Sequence, residues 1–264
     1  MTTSEFAEML WQAQLEATPC EPLTALDDAI TVEQAYEVQR HNIERRIAGD
    51  GPGGKKARLV GRKIGLTSHA IQEWLGVDEP DFGCLLDDMV VADGARVDTS
   101  GLLQPRAEAE IAFVLGRDIR GPGVTAAQVV QATDFVVPAI EIIDSRIRDW
   151  DIEYPDTIAD NASSGLFVLG NQPVRLEAAG DLRLAGMTLR QNGRVASTGA
   201  GAACLDHPIN AVVWLANKLA EFDTGLEAGQ IILSGALGPV CDVESGDWLD
   251  AEISGVGSVR VLFS

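Results

Sequence analysis

Glu108 and Glu110 stand two residues apart in Arg106-Ala107-Glu108-Ala109-Glu110-Ile111-Ala112-Phe113-Val114-Leu115, a run of apolar strand formers. A strand sends alternate side chains to opposite faces. Both glutamates therefore project from one face, followed there by Ala112 and Val114, while Ile111, Phe113 and Leu115 pack on the other. Two buried anions side by side repel, so such a pair needs a proton, a basic partner or a bound cation. A second apolar run, Phe135 to Asp144, carries Glu141 between Ile140 and Ile142, with no lysine nearby in the run. Three glutamates set in strand-like sequence point to one hard, oxygen-seeking metal such as Mg2+ or Mn2+. The competing reading is a set of solvent-facing glutamates on half-exposed strands.

Other residues could join that chemistry. Lys63 lies in an apolar strand between Gly61 and Gly65, where a lysine either snorkels to solvent or, beside a metal, pairs a carboxylate or donates a proton. Asp81, in Glu79-Pro80-Asp81-Phe82-Gly83, reads as a turn residue, and turn chemistry alone accounts for it. Asp160-Asn161-Ala162-Ser163-Ser164-Gly165 is a small, polar loop able to offer backbone N–H groups to an anion. Ser234-Gly235-Ala236-Leu237-Gly238-Pro239 follows the apolar strand Ile231 to Leu233, and its glycines allow close approach to a ligand or simply make turns. His41, His69 and His207 show no metal-ligand spacing, and His207 before Pro208 reads as structural.

The elements that must position these residues are of mixed type. Glu5 to Glu16 has helical spacing, and Thr31-Val32-Glu33-Gln34 is a capping box opening a helix to about Ile47. Ala48 to Arg58 is a Gly-rich connection. Gly49-x-x-x-x-Gly54-Lys55 within it nearly matches a phosphate-binding loop. However, Lys56 replaces the required Ser or Thr, and the segment follows a helix rather than a strand, so that reading is rejected. Leu59 to Leu66 reads as a strand and Ser68 to Leu75 as a short helix. Beyond Pro80 strands and turns dominate, with helices at Thr125 to Thr133 and Pro208 to Phe222, the latter capped by Asp206. Trp248 to Phe263 reads as a hairpin turning at Ser254-Gly255-Val256-Gly257. The class is mixed α+β, divided as a small helical and α/β N-terminal portion (1–80) and a strand-rich body (81–264).

The whole chain narrows the partners. A formal net charge of −20 over 264 residues argues against nucleic acid. If the substrate is an anion, a metal and local basic residues must reverse the field at the site. No apolar run is long enough to span a bilayer, and Met1 to Phe6 lacks the basic and apolar regions of a secretory signal. Cys20, Cys84, Cys204 and Cys241 are scattered without a Cys-x-x-Cys pair, so free thiols in a reducing cytoplasm are the simplest account.

Several motifs occur together and in order: Gly61-Arg62-Lys63-Ile64-Gly65-Leu66-Thr67, Asp81-Phe82-Gly83, Gln104-Pro105-Arg106-Ala107-Glu108-Ala109-Glu110, and Asp144-Ser145-Arg146-Ile147-Arg148-Asp149-Trp150. Ala159-Asp160-Asn161-Ala162-Ser163-Ser164, His207-Pro208-Ile209-Asn210-Ala211 and Ser234-Gly235-Ala236-Leu237-Gly238-Pro239 complete the set. Together they resemble the 2-hydroxypenta-2,4-dienoate hydratases of aromatic meta-cleavage pathways, within the fumarylacetoacetate hydrolase superfamily, over nearly the whole chain. The resemblance implies a β-roll catalytic body, with Glu108, Glu110 and Glu141 as Mg2+ or Mn2+ ligands. It implies Lys63 and Asp81 as acid/base residues, and Asp160, Ser163, Gly235 and Ala236 as substrate-binding residues. It further implies a small anionic 2-hydroxydienoate or 2-oxo acid substrate and a homo-oligomer able to associate with the decarboxylase or aldolase of its pathway. The alternative activity is that of the related 4-oxalocrotonate decarboxylases, and a non-catalytic partner subunit is a third reading. Ser68 is closer to the decarboxylase pattern, while Cys84 and Ala107 stand where Thr and a branched aliphatic residue are expected. Substrate chain length is left open.

Overall fold

Capping boxes start the two long N-terminal helices of the computed structural model, which describes residues 1–51 and 54–264. Thr2 Oγ1 accepts from Glu5 N at the head of α1 (Thr3–Glu16). After a single turn, α2 (Leu23–Leu26), Thr31 Oγ1 accepts from Gln34 N and Gln34 Oε1 from Thr31 N, opening α3 (Val32–Ala48). Each box satisfies N–H groups that a helix start leaves without partners. Pro52 and Gly53, inside the rejected phosphate-loop lookalike, lie outside the described residues.

The chain then alternates strands with short helices: β1 (Leu59–Gly65), α4 (His69–Leu75), β2 (Asp81–Leu86), β3 (Val90–Val91) and β4 (Arg96–Val97). The long strands β5 (Pro105–Leu115) and β6 (Thr133–Asp144) flank α5 (Ala126–Ala132), and α6 (Tyr154–Ala159) leads to β7 (Ser164–Leu169). Next come α7 (Leu176–Ala179), β8 (Gly186–Gln191), β9 (Arg194–Ala200), α8 (Pro208–Ala220), β10 (Ile231–Leu233) and β11 (Cys241–Asp242). A hairpin of β12 (Trp248–Ile253) and β13 (Gly257–Phe263) ends the chain, as its turn residues predict.

Among the described residues, eight strands form a sheet in the order β2-β1-β10-β5-β6-β7-β3, with β11 also on β5, and five form a second sheet, β4-β13-β12-β8-β9. The expected mixed α+β class is the observed one. β1 is hydrogen-bonded between β2 and β10, so the large sheet runs across the boundary expected at residue 80.

The large sheet uses both faces. Ala109, Ile111, Phe113, Ile140 and Ile142 join the main core, with Leu189, Leu249, Val261 and Phe263 of the second sheet and the buried stripe Ala211, Val212, Leu215 and Leu219 of α8. On the other face Leu233, Ala112, Val137, Ala139 and Phe167 form a separate apolar cluster with Leu85, Leu86 and Met89. The glutamates project on this second face.

Two local expectations change. Asp81 is not a turn residue; it opens β2 and is buried, because the chain leaves Pro80 directly into pairing with Gly65. The cap of α8 is His207, whose Nδ1 accepts from Ile209 N at 3.1 Å, not Asp206. Asp206 has a left-handed backbone (φ 65°) that turns its side chain away toward His69.

Candidate active site and metal centre

Strand register assembles the carboxylates. Glu108 on β5 lies directly opposite Glu141 on β6, and Glu110 lies one pleat further along the same face. An oxygen from each of the three comes within 4.8 Å of the others. All three side chains are buried. Gly235 N donates to Glu110 Oε2 at 2.7 Å, leaving Glu110 Oε1 without a hydrogen-bond partner. Glu141 Oε2 is likewise unpartnered, and Glu141 Oε1 faces Lys63 Nζ at 3.4 Å without hydrogen-bond geometry.

The basic side of the site comes from β1. Lys63 pairs across to Gly83 on β2 and Leu233 on β10, which puts its side chain on the carboxylate face. Its Nζ donates to the Ala162 carbonyl at 2.9 Å. Burial disfavours the ammonium, but Glu141, Asp81, Glu108 and Glu110 outweigh it and raise the Lys63 pKa above the ordinary lysine value. That balance favours the ammonium form of Lys63. Asp81 is fixed through Oδ2 by Thr157 Oγ1 at 2.9 Å, while its Oδ1 has no hydrogen-bond partner. Burial raises the Asp81 pKa even though Lys63 opposes the shift.

Gly65 lets these groups meet. A Cβ there would run into Asp81 Oδ1 and lie 3.4 Å from Lys63 Nζ. Gly65→Ala is expected to lower turnover about tenfold or more by displacing both groups and to cost about 1–3 kcal/mol through overpacking. Steady-state kinetics and a urea melt check both effects; unchanged kcat would show that neither group's position matters.

Four carboxyls (Glu108, Glu110, Glu141 and Asp81) thus face one ammonium. Burial, followed by the charge of Glu141, pushes Glu108 up to about 7, and burial with its two neighbours raises Glu110 well above the usual carboxylate range. The cluster needs positive charge or protons, and oxygens without donors are what a cation would use. The donor set, all carboxylate oxygen, fits a hard divalent ion.

Protons and metal then compete for the same oxygens. The raised pKa of Glu108 makes the metal-free fold hold a proton that the unfolded chain releases near pH 4.5. Its contribution to stability is full below about pH 4.5 and is lost as pH rises through about 7. Metal binding runs the other way, tightening with pH by up to about one log unit per pH unit for each proton displaced. The rise in melting temperature caused by Mg2+ should therefore be small at pH 5 and large at pH 8; a shift independent of pH would place the ion elsewhere.

Lys63, Asp81, Glu108, Ser163 and Ala236 all open onto one cavity of ≈520 Å³. Ile143, Trp150, Ile152 and Val240 form an apolar part of its lining. Asn161, Ala162 and Ser163 have φ of 56°, 51° and 51°, three consecutive left-handed residues that each cost about 1–3 kcal/mol. The surrounding bonds enforce this turn. The Asn161 side-chain amide pairs with both backbone groups of Cys84, at 2.7 and 3.0 Å, and tethers the loop to β2. The turn presents Ala162 O to Lys63 and leaves Ser163 Oγ, buried at the cavity, without a partner.

Two residues expected to bind substrate are placed differently. The Asp160 carboxylate is bound by the backbone N–H and guanidinium of Arg146 behind the loop, a buried ion pair that holds the loop rather than lining the cavity. Gly235 acts on Glu110 instead of facing the cavity; its φ is 111°, and a Cβ there would strike Thr67. Thr157, which fixes Asp81, went unread in the sequence. The signal available was Tyr154-Pro155-Asp156, a Pro and an acid in the first turn of a short helix, which places Thr157 before the polar loop.

A curled sheet carrying a buried glutamate triad on one face defines a class. Residues 55–263 match the family described as fumarylacetoacetate (FAA) hydrolase, C-terminal, and the chain belongs to that family. Within it the chain is 51% identical over 259 residues to the 2-keto-4-pentenoate hydratase of Paraburkholderia xenovorans (strain LB400), covering 98% of this chain and 94% of that protein. It is 44% identical to the 2-hydroxyhexa-2,4-dienoate hydratase of Comamonas testosteroni, with all of both chains covered. Among solved structures, 4-oxalocrotonate decarboxylase from Pseudomonas putida G7, complexed with magnesium and adipate, superposes with a TM-score of 0.92. Its identity is 37%, over 99% of this chain and 97% of that one.

Proposed function

We propose that the protein is a divalent-cation-dependent hydratase. It adds water to 2-hydroxypenta-2,4-dienoate, the enol form of 2-oxopent-4-enoate, or to a close homologue, giving a 4-hydroxy-2-oxo acid in meta-cleavage catabolism of aromatic compounds. The observation that carries this reading is the triad of Glu108, Glu110 and Glu141 beside Lys63 and Asp81 at one cavity, in a chain half identical to a 2-keto-4-pentenoate hydratase.

Glu108, Glu110 and Glu141 would hold Mg2+ or Mn2+, which when bound supplies positive charge for an anionic substrate and polarises its 2-oxygen. The rest is proton traffic. Conversion of the dienol to the conjugated 2-oxo acid removes the 2-hydroxyl proton and adds one at C5. Hydration then places the water oxygen on C4, removes one of its protons and adds one at C3. Lys63 Nζ carries a proton held there by the surrounding carboxylates, and Asp81 Oδ1 is an oxygen free to take one. Thr157 and Ala162 O fix both groups, so neither must reorient before reacting. The apolar part of the lining limits water around the substrate.

Among the described residues that line the cavity, Lys63 is the only cationic side chain. That supports a substrate with one carboxylate over the two-carboxylate substrate of a decarboxylase. The intact triad, Lys63 and Asp81 argue against a non-catalytic subunit. We place the enzyme in the cytoplasm as a homo-oligomer able to associate with the decarboxylase or aldolase of its pathway. Its four free cysteines accord with a reducing compartment, and no helix among the described residues is long and apolar enough to cross a membrane.

The test is an ultraviolet assay with fresh 2-hydroxypenta-2,4-dienoate, with and without Mg2+ or Mn2+. Metal-dependent loss of diene absorbance and a product heavier by one water are expected. CO2 release from 2-oxohex-3-enedioate without hydration of the dienoate would replace this reading with the decarboxylase.

A further inference from the structure

Arg106 is a cation on the catalytic face that the proposed reaction leaves unused. β5 sends it to the same side as Glu108, about 7 Å along the strand. Arg106 is not itself among the residues that line the cavity, but it lies next to several that are. Ile143, its partner across β6, lines the cavity, as do Trp150 and Val240, the latter two residues before Asp242 on the neighbouring strand. Yet the guanidinium is occupied. Asp242 lies directly across β11 from Arg106 and takes its Nε at 3.0 Å, and the Trp150 ring lies 4.6 Å from the guanidinium carbon. Trp150 is itself held by Nε1 donating to Gln104 O at 3.1 Å.

The Asp242 side chain is 84% exposed and that of Arg106 35%. An ion pair so open to water contributes little to stability, so its consequence is local: it occupies the Arg106 guanidinium beside the cavity. A two-carboxylate substrate held at the triad would bring its second carboxylate to this end of the cavity, where Ile143, Trp150 and Val240 are apolar. A carboxylate there needs a counter-charge to offset its lost hydration, and a free guanidinium would supply a paired, charge-assisted contact.

We propose that Asp242 is a specificity-determining residue: by engaging Arg106 beside the cavity, it denies a distal carboxylate its partner and restricts the site to dienoates with an uncharged far end. This inference rests on the reading of the cavity as a 2-hydroxydienoate site. Trp150 keeps the guanidinium beside the cavity, so removing the Asp242 charge frees a positioned cation rather than a mobile one.

Two unreactive probes test it by calorimetry in saturating Mg2+: 2-oxohexanoate and the diacid 2-oxoadipate. The native protein should bind 2-oxohexanoate at least as tightly as 2-oxoadipate. Asp242→Asn, which keeps the shape of the side chain, should tighten 2-oxoadipate about tenfold and leave 2-oxohexanoate unchanged. Adding Arg106→Gln to that variant should restore the native preference, and Arg106→Gln alone should change the ratio by less than twofold. An unchanged ratio in Asp242→Asn, with 2-oxohexanoate still bound, would overturn the role of Asp242 alone. Selective loss of 2-oxoadipate in Arg106→Gln would overturn it too, by showing that Arg106 already serves the far carboxylate. Failure of the native protein to bind 2-oxohexanoate would overturn the reading of the cavity together with the inference.

Discussion

Replacing Lys63 by methionine is expected to lower kcat by about 10²–10⁴-fold, the range for loss of a positioned acid or base, while Mg2+ binds as tightly as before or more tightly. The two effects diverge because Lys63 has two electrostatic relationships. Toward substrate, its Nζ is a buried ammonium whose proton is held by Glu141, Asp81, Glu108 and Glu110. Toward a metal, it is a competing positive charge 3.4 Å from Glu141 Oε1. Methionine keeps most of the length and removes the charge, so repulsion of the incoming cation falls along with proton-transfer capacity. If Lys63 served only to pin the turn through Ala162 O, metal-saturated turnover would fall only modestly. The check is kcat at saturating Mg2+ beside a calorimetric metal titration. Near-normal turnover with metal bound would remove Lys63 from the chemistry.

Much of this site was legible because strand periodicity is local. The two-residue spacing of Glu108 and Glu110, and the opposite parity of Ile111 and Phe113, assigned both faces of β5 before any pairing was known. Thr31 with Gln34 announced a helix start for a similar reason: both partners lie within one turn. Asp81 was not legible, since Pro80-Asp81-Phe82-Gly83 has turn composition. What makes it a strand is pairing with β1 and the close approach of the Asn161 loop, whose backbone would meet any Cβ at Gly83. Asp160 could be recognised as a loop acid, but its direction depends on Arg146, fourteen residues earlier and buried behind the turn. The two-residue strands β3, β4 and β11 carry no periodicity and exist only through distant partners. One signal was present and went unread. Asn192-Gly193 between β8 and β9 is a hairpin turn pair, and both residues have positive φ, 54° and 78°.

The effect of Glu110→Gln on stability should change sign with the metal. Glutamine preserves the side-chain shape, and its oxygen can still accept from Gly235 N, so the local frame has no reason to move. The amide NH2 then takes the position of Oε1, the unpartnered oxygen a cation would use, and offers no lone pair there. Metal affinity is expected to fall by more than about 100-fold, beyond the effect of losing a group that merely orients a ligand. Turnover at moderate Mg2+ should fall with it. Without metal the sign reverses. Burial, Glu141 and Glu108 all push the Glu110 pKa up, so at pH 8 the native metal-free fold must either ionise a crowded buried acid or hold a proton against the solution. A neutral glutamine removes that cost. The metal-free variant should therefore melt at or above the native temperature at pH 8, whereas excess Mg2+, which adds about 2.7 kcal/mol at a hundredfold excess over Kd, should stabilise only the native protein. Paired thermal melts with Mg2+ and with a chelator separate the possibilities. A variant destabilised without metal would make Glu110 a structural residue, and one still stabilised by Mg2+ would place the cation away from the triad.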